Sequence, residues 1–187
     1  YKKIEKYRGL HLVYVGTVTK EGGISESVAL MNKIRAKNPD IDCKLHVIGD
    51  GHVYREKEIV DENVIFYGRL NNKETLDIVR KCHVGLCLFW KTRQRRKSLP
   101  VKIFEYLYAG LFVAATELGG PMKFMKGKEF IAFNDDLNVL ASIIHNIYHA
   151  NNFNQIGKKA KTFVAKNCNW DSEEKKLLEI YSCVVSK

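Results

Sequence analysis

The sequence predicts an α/β fold in which a parallel sheet of about six strands is flanked by helices. Short apolar runs typical of buried strands alternate with longer segments whose apolar residues recur at helical spacing, and this alternation continues along the chain. Only a few residues separate successive elements, as is typical of parallel sheets with crossover helices. Because 187 residues suffice for one well-buried domain, we expect residues 1–187 to form a single unit.

The strand candidates are apolar runs that end in glycine or polar residues. They are HLVYVG (11–16), CKLHVIGDG (43–51), NVIFYG (63–68), HVGLCLF (83–89) and EFIAF (129–133), and one more strand precedes Gly119. The carboxyl ends of such strands form one edge of a parallel sheet, where ligands of open α/β sheets bind. Residues that follow the strands are therefore the first candidates for a site.

The helix candidates lie between these runs and after the last of them. They cover 24–38, 53–62, 72–82, 100–109 and 135–150, and two further helices end the chain, the last over 169–185. The pair Asn38-Pro39 ends the first helix, because the residue before a proline disfavours helical geometry. Helical spacing in the last helix predicts a buried stripe of Leu177, Leu178 and Tyr181.

Composition excludes several classes of protein. With 45% hydrophobic and 28% charged residues and three prolines, the chain is neither disordered nor collagen-like. The longest apolar run, 106–116, is shorter than the roughly 20 residues of a spanning helix. Five scattered cysteines lack C-x-x-C spacing, so we expect reduced thiols, a cytoplasmic location and no metal site.

A formal charge of +10 predicts an anionic partner. Nucleic acid, anionic lipid and a phosphorylated small molecule all remain open on charge alone. The lipid alternative corresponds to a peripheral contact with the inner face of a membrane. The histidines have no partners at metal-ligand spacing, so we expect structural roles for them.

Two glycine-rich turns follow the first two strands. In the first, Gly16, Lys20 and Gly22-Gly23 stand before a helix, where glycines let main-chain N–H groups approach a phosphate. The second is Gly49-Asp50-Gly51. Ordinary turns without a ligand explain both sequences equally well.

A cationic loop and the start of a helix follow the strand at 83–89. The loop carries Lys91, Arg93, Arg95, Arg96 and Lys97 after Trp90. A cationic loop beside a helix amino terminus suits a diphosphate, whereas a solvated loop without a ligand is the alternative. Pro100 suits the first helical position, and Lys102 and Glu105, three residues apart, lie on one side and could pair. For Tyr106, Tyr108 and Trp90 we expect packing roles, with base stacking the alternative for Trp90.

The segment SLPVKIFEYLYAGLFVAATELGGP, residues 98–121, resembles the donor site of retaining GT-B glycosyltransferases of family 4, the glycosyl transferases group 1. It is most similar to members with a P-x-K-hydrophobic-x-E-Y helix. YVGTVTKEGGI, LHVIGDG, NVIFYGRLNNKETLDIVRKCHVGLCL and NCNW extend the resemblance over nearly the whole chain. The resemblance implies a Rossmann-like, carboxyl-terminal donor-binding domain, one half of a GT-B fold, with the acceptor-binding half absent from this chain.

The resemblance also implies roles for individual residues. Glu105 would accept hydrogen bonds from the ribose hydroxyls, and Lys102 would contact phosphate, the helix terminus or Glu105. The opening phosphate turn would comprise Gly16, Thr17, Lys20, Gly22 and Gly23. The backbone of the loop Ser98, Leu99, Pro100 and Val101 would lie against the sugar and diphosphate. Gly119 and Gly120 would line the same crevice.

Three positions depart from the family pattern. Thr17 and Gly22 stand where many relatives have cations, and Lys97 stands where many have glutamate. Charges that stabilise the departing diphosphate contribute strongly to catalysis, so other cations would have to replace those missing here. The candidates are Lys20, Arg93, Arg95, Arg96 and Lys97.

The function implied is transfer of a hexose from a UDP or GDP sugar to a glycan or lipid-linked acceptor, with retention, as in polysaccharide biosynthesis. No metal or other cofactor is expected, and the isolated chain should bind the donor without transferring it. Two alternatives remain. One is a basic α/β module that binds nucleic acid, and the other is a GT-B nucleotide-sugar epimerase.

Overall fold

A computed structural model describes residues 5–51, 61–93, 97–117 and 119–185 of the chain. These residues form one six-stranded sheet with the order β3-β2-β1-β4-β5-β6, and all of its strand pairs are parallel. The strands are β1 (Leu10–Val15), β2 (Cys43–Ile48), β3 (Val64–Phe66), β4 (Val84–Cys87), β5 (Phe112–Ala115) and β6 (Ile131–Phe133). The predicted fold class is confirmed.

Six helices connect and follow the described strands. They are α1 (Ile24–Lys37), α2 (Asn72–Val79), α3 (Val101–Ala109), α4 (Leu137–His149), α5 (Phe153–Asn167) and α6 (Trp170–Val185). A 3-10 helix, Gly120–Met125, follows β5 and was not predicted. Most of the helix predicted over 53–62 lies outside the described residues. None of the described helices combines the length and the apolar character needed to cross a membrane.

The strand order creates a topological switch point between β1 and β4. From β1 the chain adds β2 and β3 on one side, and from β4 it adds β5 and β6 on the other. The connections that leave β1 and β4 therefore diverge at the carboxyl edge of the sheet. A divergence of this kind opens the crevice in which α/β sheets bind ligands.

Tyr106 attaches α3 to the centre of the sheet. A Cβ atom on Gly85 of β4 would overlap the Tyr106 ring, so the ring rests directly on the strand backbone. The Tyr106 hydroxyl accepts a hydrogen bond from the Val15 N–H (2.8 Å) and donates one to the Leu86 carbonyl (3.4 Å). Burial raises the pKa of Tyr106 well above its usual range. The packing role predicted for Tyr106 is confirmed.

Two other packing predictions were wrong. Tyr108 is 53% exposed. It follows the buried Tyr106 by two positions, and side chains two positions apart on a helix point to nearly opposite faces. In α6 the expected buried stripe is exposed instead: Leu177 by 38%, Leu178 by 59% and Tyr181 by 58%. Helical spacing shows which residues share a face, but it does not show whether another element covers that face.

Three histidines form a polar network within the sheet. His11 Nδ1 lies 2.7 Å from His46 Nε2, and His46 Nδ1 lies 2.9 Å from the Tyr67 hydroxyl. The His11 main-chain N–H donates to His83 Nδ1 (3.2 Å). Burial, with His11 and Lys44 nearby, lowers the pKa of His46 to about 4. Burial also lowers the pKa of His83, to about 3, so these imidazoles are neutral structural groups at physiological pH.

We expect Tyr106→Phe to lower the free energy of unfolding by about 1–3 kcal/mol, because it leaves the buried Val15 N–H without its acceptor. Urea denaturation measures this change. The matched control is Tyr108→Phe in the same helix, which removes a hydroxyl from an exposed ring and should change stability by less than about 0.5 kcal/mol. Equal losses in the two variants would contradict the anchoring role of Tyr106.

We expect the protein to lose stability as the pH falls from about 6.5 towards about 4. The folded state keeps His46 and His83 neutral, whereas the unfolded chain takes up protons below the ordinary histidine pKa. Urea midpoints measured across this range should therefore fall with pH. His46→Gln should flatten the dependence, and His149→Gln, at an exposed position, should not. A steep dependence that survives His46→Gln would exclude His46 as its source.

Candidate functional site

The turn after β1 packs against the turn after β2 at the switch point. The Gly16 N–H donates to the Ile48 carbonyl and the Val18 N–H to the Asp50 carbonyl, both at 2.9 Å. A Cβ atom on Gly49 would overlap the Gly16 carbonyl oxygen, and one on Gly51 would overlap that of Val18. The glycines of the second turn therefore permit close approach of two main chains, and they set the position of the first turn.

The β1–α1 turn also packs against the end of β4. Gly23 has a φ of +85°, and a Cβ atom there would overlap the Leu88 carbonyl oxygen. A Cβ atom on Gly22 would lie 2.5 Å from the Tyr14 hydroxyl, which itself donates to the Thr17 carbonyl at 2.6 Å. Because Gly23 precedes α1 and has no side chain, it cannot cap the N–H groups at the start of this helix.

Lys102 extends from α3 to the end of β1. Its Nζ lies 4.6 Å from the ring centroid of Tyr14 and 4.7 Å from that of Phe89. A Cβ atom on Gly16 would be 3.1 Å from the same Nζ. The fold thus places an ammonium group, held between two aromatic rings, beside the first glycine of the β1–α1 turn. Glu105, on the next turn of α3, is exposed.

Trp90 covers part of the same turn from the end of β4. Its indole N–H donates to Glu26 Oε1 (2.5 Å), and its main-chain N–H donates to the Glu21 carbonyl (3.3 Å). Lys20 Nζ lies 5.1 Å from the indole ring. With 39% of its surface exposed, Trp90 packs on the β1–α1 turn rather than in the core. Sequence reasoning missed Glu26, because nothing in the pattern links positions so far apart.

The cations of the loop that follows β4 differ in their contacts. Lys91 pairs with Asp135, which follows β6, while Arg93 and Lys97 are exposed. Arg95 and Arg96 lie outside the described residues. Pro100 precedes α3 as the capping position rather than occupying its first helical residue. Lys102 is the second residue of α3, two positions after Pro100.

The other predicted site residues lie around this centre. Thr17 and Lys20 are exposed on the β1–α1 turn, Ser98 is half-buried, and Leu99 is 47% exposed. Gly119 and Gly120 lie at the start of the 3-10 helix that follows β5. Because β5 pairs in parallel with β4, these glycines lie at the same edge of the sheet as the end of β4. No group of three or more His, Cys, Asp or Glu side chains among the described residues is arranged to hold a metal ion.

The fold and its crevice define the class of the protein. A parallel six-stranded sheet with this order, flanked by helices and open at the β1/β4 switch point, matches the Rossmann-like half of a GT-B glycosyltransferase. Residues 9–150 match the family described as "Glycosyl transferases group 1". The chain therefore belongs to the glycosyl transferases group 1 family. No curated protein matches the sequence significantly.

Solved structures share the fold at low sequence identity. TarM from S. aureus superposes with a TM-score of 0.72 at 16% identity over 97% of this chain and 38% of its own. The C-terminal domain of the group 1 protein LpcC from Francisella tularensis gives 0.67 at 16%, with 90% of both chains covered. Anabaena HepE in complex with UDP-glucose gives 0.70 at 15%, over 94% of this chain and 49% of its own. The chain thus spans less than half of TarM and HepE.

We expect Gly23→Ala to lower the free energy of unfolding by more than about 3 kcal/mol, because it adds a steric overlap to a strained positive φ. Gly68→Ala is the matched control. Gly68 also has a positive φ, +65°, but a Cβ atom there meets nothing within 4 Å. Gly68→Ala should lower the free energy of unfolding by about 1–2 kcal/mol. Thermal unfolding compares the two, and similar losses would show that the turn can move away from Leu88.

Proposed function

We propose that this chain is the donor-binding domain of a retaining glycosyltransferase. The parent enzyme would transfer a hexose from a nucleoside diphosphate sugar to a glycan or lipid-linked acceptor. The observation that carries the proposal is the Lys102 ammonium beside Gly16, at the crevice where α1 begins. The proposal is supported by the position of this cation at the carboxyl edge of the sheet beside a helix amino terminus, because α/β sheets commonly bind phosphate at such positions.

Several sources of positive potential converge on this crevice. The Lys102 ammonium lies against the faces of Tyr14 and Phe89, where apolar rings reduce its screening by water. Lys20 stands on the same turn over Trp90, and the amino terminus of α1 adds the positive end of its dipole. Two phosphate groups bound here would receive charge from side chains and main chain without a divalent ion.

Glu105 supports a nucleotide rather than a simple phosphate as the ligand. Residues three apart on a helix are neighbours, with Cβ atoms roughly 5–6 Å apart, so the Glu105 carboxylate follows the Lys102 ammonium by one turn. A carboxylate has two acceptor oxygens and suits the paired hydroxyls of a ribose. In a nucleoside diphosphate the ribose is covalently joined to the diphosphate. One ligand could therefore place its ribose near Glu105 and its diphosphate near Lys102.

The structure gives a physical reason for one departure from the family pattern. Any side chain at Gly22 would meet the Tyr14 hydroxyl and the Thr17 carbonyl oxygen, so a cation cannot occupy that position unless both of them move. Lys102 and Lys20 instead bring ammonium groups to the turn from α3 and from the turn itself. We propose that these two residues neutralise the diphosphate in place of the cations that Thr17 and Gly22 lack.

Within the proposed reaction, this chain binds the donor and stabilises the departing nucleoside diphosphate. The main chain of Ser98, Leu99, Pro100 and Val101 would lie against the sugar, with the exposed Val101 side chain directed away from it, and Gly119 and Gly120 would border it. The acceptor and any group contributed by an acceptor-binding domain would come from outside residues 1–187. We therefore propose that the isolated chain binds the nucleotide sugar but does not transfer it.

The nucleotide to test first is UDP. HepE, which shares the fold, has been solved with UDP-glucose, and TarM with UDP among its ligands. The rival function, nucleic-acid binding through the loop at 91–97, is weakened because Lys91 is paired with Asp135. A nucleic-acid site would also give no role to Lys102 in the crevice.

Calorimetric titration with UDP, GDP, ADP and CMP, without added metal, tests the proposal. We expect one nucleotide to bind, and Lys102→Met or Glu105→Ala to weaken it at least roughly tenfold, since hydrogen bonds to charged groups contribute about 1.5–3 kcal/mol. Glu62→Ala is the matched control, because Glu62 is exposed before β3, at the opposite edge of the sheet.

Failure of every nucleotide to bind the folded chain would overturn the donor site. Single-stranded RNA binding that weakens steeply with salt, and that neither variant affects, would favour the nucleic-acid alternative. Equal weakening by Glu62→Ala would show that the loss in the site variants is not local.

A further inference from the structure

A ridge of phenylalanine rings joins α3, the 3-10 helix and α5 on the surface. The Phe104 and Phe124 ring centroids are 6.5 Å apart, and those of Phe124 and Phe163 are 6.4 Å apart, with both pairs stacked. Phe124, in the middle, is 48% exposed. Val101 and Tyr108 share the Phe104 side of α3 at helical spacing and are 67% and 53% exposed. The ridge is therefore a continuous apolar strip in contact with solvent.

Lysines surround this strip. Lys123, Lys126 and Lys128 lie in or just after the 3-10 helix, and Lys159 and Lys166 share the Phe163 side of α5 at helical spacing. Lys128 Nζ lies 5.6 Å from the Phe163 ring centroid. We call these five lysines, together with Val101, Phe104, Tyr108, Phe124 and Phe163, the lysine–phenylalanine surface.

The positive charge on this surface is only partly neutralised. Lys126 pairs with Glu117 at 3.3 Å, and Lys159 pairs with Glu129. Within the described ranges, the ion pairs include none of Lys123, Lys128 and Lys166. The exposed carboxylate of Glu105 lies between Val101 and Tyr108 on the same side of α3. Five ammonium groups therefore face three carboxylates, which leaves two positive charges around an apolar centre.

We propose that the lysine–phenylalanine surface docks on a membrane that contains anionic lipids. The arrangement matches the bilayer interface, where aromatic and aliphatic side chains enter the headgroup region and lysines contact lipid phosphates. The centre of the surface is apolar, and its cations are lysines, which act as point charges without the bidentate geometry of arginine. An acidic protein would meet phenylalanine where it needs hydrogen-bonding groups. Single-stranded nucleic acid can stack bases on aromatic rings, and the RNA measurement below distinguishes it from a membrane.

Docking at this surface would affect the proposed reaction as well as the location of the protein. The exposed side of α3 contributes Val101 and Tyr108 to the docking surface, while the same helix carries Lys102 and Glu105. Docking would hold the proposed donor site close to the lipid headgroups, which suits a lipid-linked acceptor. Vesicle binding does not require nucleotide binding, so this proposal and the donor-site proposal can fail separately.

Vesicle sedimentation with the full chain tests the proposal. With vesicles of equal parts phosphatidylcholine and phosphatidylglycerol we expect binding that high salt weakens, and with phosphatidylcholine alone much less. Lys128→Glu and Phe124→Ser should each weaken binding roughly fivefold or more. The matched controls are Lys37→Glu on α1 and Tyr181→Ser on α6, at positions that are both exposed in the wild type. Each control should change vesicle binding less than twofold.

Lys166→Glu, at an exposed helical position, provides a second charge reversal that leaves the ridge packing intact. Circular dichroism should show every variant folded. Absence of binding to the mixed vesicles, or losses in the controls equal to those in the surface variants, would overturn the proposal. Strong binding to RNA with no preference for anionic vesicles would assign the same charges to a different partner.

Discussion

The close contact of the β1–α1 turn with the ends of β2 and β4 is the constraint on which the candidate site depends. Glycines at positions 23 and 49 allow main chains to approach within distances that a Cβ atom would prevent. Tyr106 adds a second constraint, since its hydroxyl joins the end of β1 to β4 while its ring rests on Gly85. Together these contacts determine where α1 begins and where α3 lies.

The position of Lys102 follows from those contacts. Tyr106 fixes the buried side of α3, and Lys102 on the same helix places its Nζ near the Tyr14 and Phe89 rings beside the turn after β1. Tyr14 has two effects, because its hydroxyl excludes a side chain at Gly22 while its ring faces Lys102. Tyr14 thus contacts both the position of Gly22 and the ammonium group of Lys102.

The positive charge of the chain is divided between two regions with different surroundings. At the carboxyl edge of the sheet, Lys20 and Lys102 lie near aromatic rings beside the start of α1, which suits a compact and highly charged ligand. On α5 and the 3-10 helix, lysines surround an exposed apolar ridge, which suits an extended interface such as the headgroup region of a bilayer. Formal charge alone predicted an anionic partner, but the shape and polarity of the surroundings distinguish the two regions.

The sequence by itself determined the α/β class, the approximate place of each described strand and the edge of the sheet to inspect, because periodicity and turn residues act over short distances. It also indicated Tyr106 as a packing residue. Burial of α6 and Tyr108 was predicted wrongly, and Glu26 and the phenylalanine ridge were not found. Those features depend on which distant segments meet, as when Trp90 reaches Glu26 or Phe124 stacks between two helices. Local spacing defines the faces of helices and strands, but only tertiary packing decides which faces are covered and which cations enter the crevice.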